Sequence, residues 1–263
     1  VLYMKKIIPC CLLLFVLQFC HTQELLIKEI SKTKWDADHY IGTDSFGAIF
    51  YIKNNTFYKV QDTKKWQYNN LALGKITDIS IVNPLKIVLF YEQSNSVVLL
   101  DKFLNEIKLI SFNTLNHLRL ITQIATANNS NLWLFDSNTL QLEIFDYTTL
   151  RTLYTTQPLP ELPIAIAGNF NDCWLLTTTK AYKFNSYGSL LTTLNHDGYT
   201  ALQMTKKNVF FKKKQHLYTY PDATEKLEKI NLPEIPIKQF YGIDEILYIY
   251  DGETIYNYQL DSP

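Results

Sequence analysis

Residues Asn131–Leu153, NLWLFDSNTLQLEIFDYTTLRTL, read as three short strands divided by two tight turns. Leu132-Trp133-Leu134-Phe135 is apolar at four successive positions, so both faces of that strand must be covered. Asp136-Ser137-Asn138-Thr139 is a turn cluster, Leu142-Glu143-Ile144-Phe145 a second strand, and Asp146-Tyr147-Thr148-Thr149 a second turn. Leu150-Arg151-Thr152-Leu153 opens a third strand, more polar than the others.

The same plan recurs along the chain. Ile49, Ile87, Leu132, Cys173, Val209 and Ile246 hold one position of a repeated apolar strand, with a period of about 40 residues. The strand that follows lines up independently on Phe57, Val97, Leu142, Ala181, Leu217 and Ile255, with the same period. Two registers keeping one period, with several strands per unit, signal a β-propeller. A preceding strand is readable in each unit: Tyr40–Thr43, Ile76–Ile81, Leu120–Ala125, Ile164–Gly168, Ala201–Met204 and Gln239–Ile243. These innermost strands are expected to line the central channel, and the charged segment Glu225–Ile230 to be an outermost strand. After Ile255–Leu260 the last unit has no outer strand of its own, whereas Glu24–Ile30 precedes the first unit unattached. Placing the N-terminal strand beside Ile255–Leu260 closes the ring and removes both open edges. The proline-rich stretches Pro158–Pro163 and Leu232–Pro236 fall between units, where proline removes no ladder hydrogen bond, and read as inter-blade loops. The fold expected is all-β: a single six-bladed propeller over residues 23–263, closed by its N-terminal strand.

Apolar residues make up 47% of the chain and aromatics 14%, enough for a large core; the 18 Tyr favour half-buried strands. Lys+Arg and Asp+Glu are balanced at 25 each, which leaves no electrostatic footprint for nucleic acid. Residues 4–22 read as a signal peptide. Lys5-Lys6 is a basic n-region, and Ile7–Phe19 is an apolar run of h-region length, too short to cross a bilayer comfortably. Cleavage after Thr22 is one route; lipid attachment at Cys20, after Leu17-Gln18-Phe19, is the other, although Phe19 is bulky for a lipobox. Either leaves no transmembrane segment in the exported chain. Of the four cysteines, only Cys173 lies well inside the propeller, so neither a disulfide framework nor a cysteine metal site is expected.

The units NLWLFDSNTLQLEIFD and DEILYIYDGETIYNYQL resemble secreted β-propeller repeats of the NHL, YVTN and SMP-30-like kind. Asp136, Asp146 and Asp251 end strands as in those repeats, and carboxylates there are expected to tie turns by accepting backbone N–H bonds. The signal segment and the Asn, Tyr and Lys content also resemble envelope propellers of gliding-type Gram-negative bacteria. That resemblance implies a periplasmic protein, or one at the periplasmic face of the outer membrane, with a protein partner in an assembly such as an export channel. It also implies a monomeric propeller within a larger complex. The SMP-30-like kinship implies a rival, a metal-dependent hydrolase or lactonase centred on the channel, with inner-strand ends Asp44, Asp78, Asn83, Asn169 and Asp244 as the comparable ligands. A carbohydrate-binding propeller is a third alternative.

No residue set in the sequence amounts to a catalytic or cofactor site. Asp36-Ala37-Asp38-His39 is the most ligand-dense stretch but reads as a solvated loop, and His196-Asp197-Gly198 reads as a turn. There is no Gly-x-Ser-x-Gly elbow and no glycine-rich phosphate loop among the eight glycines. Lys206-Lys207 with Lys212-Lys213-Lys214 is the densest basic run, and Tyr68, Tyr187 and Tyr199 are candidate surface aromatics for a protein-binding face.

Overall fold

In the computed structural model, which describes residues 27–260, β1 (Ile27–Lys34) precedes six four-stranded antiparallel sheets. The first blade is β2 (His39–Thr43), β3 (Ile49–Lys53), β4 (Thr56–Gln61) and β5 (Lys64–Tyr68). The second is β6 (Asp78–Ser80), β7 (Lys86–Tyr91), β8 (Ser96–Asp101) and β9 (Glu106–Ser111). The third is β10 (Ile121–Thr126), β11 (Asn131–Asp136), β12 (Gln141–Asp146) and β13 (Arg151–Thr155). The fourth is β14 (Ala165–Gly168), β15 (Asp172–Leu176), β16 (Lys180–Asn185) and β17 (Leu190–Asn195). The fifth is β18 (Ala201–Met204), β19 (Asn208–Lys213), β20 (His216–Pro221) and β21 (Glu228–Lys229). The sixth is β22 (Gln239–Ile243), β23 (Ile246–Tyr250) and β24 (Thr254–Leu260), completed by β1.

The molecule is a six-bladed β-propeller, and the closure read from the sequence holds. Ile27 pairs with Leu260 and Lys34 with Thr254, with one bulge between Glu29 and Ser31. The closing strand runs further toward the first blade than Glu24–Ile30. The signal segment, residues 4–22, and Cys20 lie outside the described residues, as do Glu24 and Leu25.

The blades are glued by side chains that leave one strand in opposite directions. In β11, Leu132 and Leu134 pack toward Val88, Phe90 and Leu99 of the second blade. Trp133 and Phe135 pack toward Cys173, Leu175 and Phe184 of the fourth. In β15, Cys173 and Leu175 join that same layer, whereas Trp174 and Leu176 meet Val209 and Phe211 of the fifth. This is why the middle strands are apolar at consecutive positions: each residue belongs to one of two inter-blade cores. Each such side chain, once fully buried, contributes roughly 1.5–3 kcal/mol.

Glycine marks the places where inner strands receive a ring from the blade before. A Cβ at Gly168 of β14 would lie 2.7 Å from Cδ1 of Trp133 and 3.0 Å from the Thr126 carbonyl oxygen. At Gly242 of β22 it would meet Phe210 at 2.6 Å.

Candidate functional site

The inner strands enclose a central channel with a cavity at each end and a narrow middle. At the first mouth, where the inner strands begin, a cavity of about 390 Å³ is lined from β2, β6, β18 and β22. Its polar groups include His39, Asp78, Gln203 and Gln239. Ile79, Ile124, Ile166 and Met204 narrow the channel below it to a space of about 50 Å³. At the second mouth, where the inner strands end, a cavity of about 420 Å³ is lined by Asp44, Asn83, Asn169, Phe170, Lys206 and Asp244, among others.

The five inner-strand-end residues therefore do not form one set. Asp44, Asn83, Asn169 and Asp244 line the second mouth, whereas Asp78 begins β6 and lines the first. Within the second mouth one oxygen each of Asp44, Asn83 and Asn169 is committed to a turn. Asp44 Oδ1 accepts the N–H groups of Phe46 and Ala48, both at 2.9 Å. Asn83 Oδ1 accepts from Leu85 at 3.0 Å, and Asn169 Oδ1 from Asn171 at 2.8 Å and Asp172 at 2.9 Å. Asp44 Oδ2 is buried without a protein partner. Burial, and then the Asp44 charge, push the Tyr241 hydroxyl pKa well up. Among the described residues no three of His, Cys, Asp and Glu converge as a metal site.

The first mouth differs. Asp78 is half-buried; its Oδ1 accepts the Ile79 N–H at 2.8 Å. Burial raises its carboxyl to about 6, and that hydrogen bond offsets only part of the rise. Gln239 Oε1 is buried with no partner, while its Nε2 lies 3.4 Å from His39 Nδ1. Sequence reasoning passed over Gln203 and Gln239. Their signal was present: Gln203 interrupts an otherwise apolar inner strand and Gln239 opens one.

The other singled-out residues are structural. Asp136 Oδ1 accepts from Leu120 and Asn138, both at 3.0 Å, Asp146 Oδ1 from Thr148 at 2.8 Å, and Asp251 Oδ1 from Thr254 at 2.7 Å. Asp36 pairs with Lys53, and Asp38 Oδ2 accepts the Asn54 N–H at 2.7 Å. His196 Nδ1 accepts from Tyr199 at 3.1 Å, and Asp197 meets Lys213 at 2.6 Å. Cys173 is fully buried, and burial, with Asp172 adding to it, pushes its thiol pKa well up. That environment makes it inert rather than nucleophilic.

The structure adds to the reading of the basic run and corrects that of one surface aromatic. The basic run is not one patch, because Lys206-Lys207 and Lys212–Lys214 sit at opposite ends of β19. Tyr199 is not a surface aromatic: it is buried, stacked on Phe211 at 5.0 Å. Tyr68 is half-buried and donates to Glu106 at 2.6 Å, whereas Tyr187 is 68% exposed. The exposed apolar groups at the second mouth went unread. Phe46 is 68% exposed, Leu85 63% and Phe170 44%, each on a hairpin that rings it.

No protein-family model matches the chain, and neither does any curated protein. Solved structures do. A catalytically inactive variant of virginiamycin B lyase from Staphylococcus aureus, bound to quinupristin, superposes with a TM-score of 0.61 at 12% identity, over 89% of this chain and 100% of that one. A streptogramin B lyase gives 0.58 at 12% identity, over 88% and 98%. BamB from Moraxella catarrhalis gives 0.49 at 10% identity, over 89% and 100%. Among the described residues no helix is long and apolar enough to cross a membrane. At these identities the lyase superpositions establish the architecture and nothing of the chemistry: the chain is a six-bladed β-propeller.

Proposed function

We propose that this chain is an exported, non-enzymatic interaction module of the bacterial cell envelope, with residues 4–22 as its leader and residues 23–263 as the propeller. It works in the periplasm or at the periplasmic face of the outer membrane, scaffolding or capping an assembly there, and belongs with the NHL, YVTN and SMP-30-like propellers. The observation that carries the reading is the second mouth. Phe46, Leu85 and Phe170 project from three hairpins around it, while Asp44, Asn83 and Asn169 brace those hairpins from within. Large apolar side chains fixed on short, internally bonded turns lose little entropy when covered, which suits them to anchor a partner protein. The leader supports export, since Lys5-Lys6 followed by Ile7–Phe19 has the signal-peptide pattern.

Affinity purification from envelope extract tests this. The wild type is expected to recover a stoichiometric protein partner. The triple variant Phe46→Ser, Leu85→Ser, Phe170→Ser is expected to lose it while retaining its fold by circular dichroism. A wild type that recovers no such partner, or a triple variant that keeps it, overturns the reading.

A further inference from the structure

Away from the channel, a cavity of about 380 Å³ opens on the rim between the outer hairpins of the first and second blades. Its size lies within the roughly 300–1,000 Å³ of small-ligand pockets. Part of its wall is aromatic. Trp66 of β5 and Phe103, the latter 47% exposed, have ring centres 6.0 Å apart and planes tilted by 42°. The β4–β5 turn brings Asp62, Thr63 and Lys64 to its edge, all exposed. Gln61 beside them donates Nε2 to the Phe46 carbonyl at 3.4 Å, which fixes its amide and leaves Oε1 to accept.

Lys59, opposite Trp66 on β4, carries charge into this wall. It is only 6% exposed, yet it makes no ion pair among the described residues. Its Nζ donates to the Lys102 carbonyl at 3.0 Å, across the blade boundary. The same atom lies 5.4 Å and 5.5 Å from the ring centres of Phe50 and Trp66. The acids around it serve their own hairpins. Asp101 accepts from the Phe103 N–H at 2.8 Å and, with its other oxygen, from Asn105 Nδ2 at 2.9 Å, while Asp44 Oδ1 takes two backbone N–H groups. Lys64 and Lys102 are exposed and likewise unpaired with any carboxylate among the described residues; Lys102 Nζ lies 4.9 Å from the Phe103 ring centre. Three lysines against Asp62 give the cavity a positive lining. A cation held largely out of water without a counter-ion is costly, so the lining favours an anion.

We propose that this rim cavity binds an acidic saccharide, with one face of a pyranose ring on Trp66 and Phe103 and its carboxylate toward Lys59 and Lys102. A sugar acid brings the three things the lining asks for. Its C–H face covers aromatic surface, its hydroxyls can donate to Asp62 and Gln61 Oε1 and accept from Thr63 and Lys64, and its carboxylate makes charge-assisted bonds to ammonium groups. Inorganic phosphate would satisfy the lysines and leave both rings uncovered. An aromatic acid would cover the rings and leave the turn's polar groups without partners.

NMR titration of the isotope-labelled protein tests the site, read through the indole N–H resonance of Trp66, which is assigned by its loss in Trp66→Phe. The probes are methyl β-D-glucuronide and methyl β-D-glucoside, which differ only in the carboxylate. Near neutral pH the glucuronide is expected to shift that resonance and to bind about tenfold tighter than the glucoside, a gap that narrows in high salt. Lys59→Met keeps an unbranched apolar stem and is expected to abolish most of the preference for the glucuronide. Phe103→Ser, at an exposed position, is expected to weaken both sugars severalfold while the circular dichroism is unchanged, so the proposal stays testable if the lysine variant fails to fold. A Trp66 resonance unmoved by the glucuronide, equal affinity for the two glycosides, benzoate binding as tightly as the glucuronide, or a Phe103→Ser variant that binds like the wild type overturns it.

Discussion

The Tyr250 hydroxyl accepts the backbone N–H of Ala37 at 3.3 Å and lies 3.0 Å from the carbonyl oxygen of the same residue. Tyr250 belongs to β23 of the last blade, and Ala37 to the link between the closing strand and the first. The hydroxyl also lies 2.7 Å from the Gly252 carbonyl oxygen and 3.1 Å from that of Trp35. One phenol therefore accepts the Ala37 N–H and has three carbonyl oxygens around its single proton where the ring is joined.

Replacing that phenol by phenyl keeps the ring's packing and removes the hub. Tyr250→Phe leaves the Ala37 N–H buried and unpaired, and is expected to cost about 1–3 kcal/mol. Urea denaturation should show a lower midpoint with an unchanged m-value, because the fold and its buried surface are retained.

A second test concerns a buried ion pair in the third blade. Arg119 and Glu143 are both buried, with Arg119 Nε 3.0 Å from Glu143 Oε2, and Arg119 Nη2 donates to Thr152 Oγ1 at 2.9 Å. Glu143→Ala strands a guanidinium away from water and is expected to destabilise by about 3–5 kcal/mol. The double change Arg119→Met, Glu143→Leu is expected to recover most of that loss, since the pair's attraction is largely offset by desolvation. Equilibrium unfolding of the two variants side by side decides it.

Gly168→Ala probes the contact between the third and fourth blades. The added methyl group would press on Trp133, which is fully buried, and on the Thr126 carbonyl. Neither has room to retreat, so overpacking is expected to cost about 1–3 kcal/mol. The change should appear in tryptophan fluorescence as well as in the thermal midpoint.

Asp78 gives the fold a pH dependence of known sign. Its carboxyl titrates near 6 in the folded chain and near the ordinary 3.8 when unfolded, so the native state holds the extra proton between those values. Stability is therefore fully present below the unfolded value and declines as pH rises through 6, by about 3 kcal/mol at most. Asp78→Asn removes that decline. The variant should match the wild type near pH 4 and exceed it near pH 8 in denaturant midpoint. A parallel profile for both proteins would count against a buried, ionising Asp78.

Much of this architecture was legible in the residues, and the reasons are local. Leu132–Phe135 could be read because a strand covered on both faces has no polar position, and that pattern repeats. The closing strand could be placed but not bounded, since IKEISKTK is an exposed outer edge that carries no hydropathy signal. The fifth blade's outer strand, read as Glu225–Ile230, is confined to Glu228–Lys229. Tyr199 was misread because composition does not say which rings are buried. The channel was the least readable part. Asp44 and Asp78 look alike in sequence, yet one braces a hairpin at the second mouth and the other borders the cavity at the first. Which way a side chain leaves a short inner strand depends on neighbouring blades contributed by distant sequence.

The pairing of Ile27–Lys34 with Thr254–Leu260 also bears on how the molecule is made. A polypeptide threaded outward from its front end would deliver the first partner of this ladder long before the second. Blades two to five can assemble from near neighbours in the order they emerge, but the sixth waits for nearly the whole chain. Contacts so distant along the chain are slow to form. The closing strand therefore spends the interval as an unpaired, lysine-bearing ribbon, and those charges discourage it from joining other sheets during the wait.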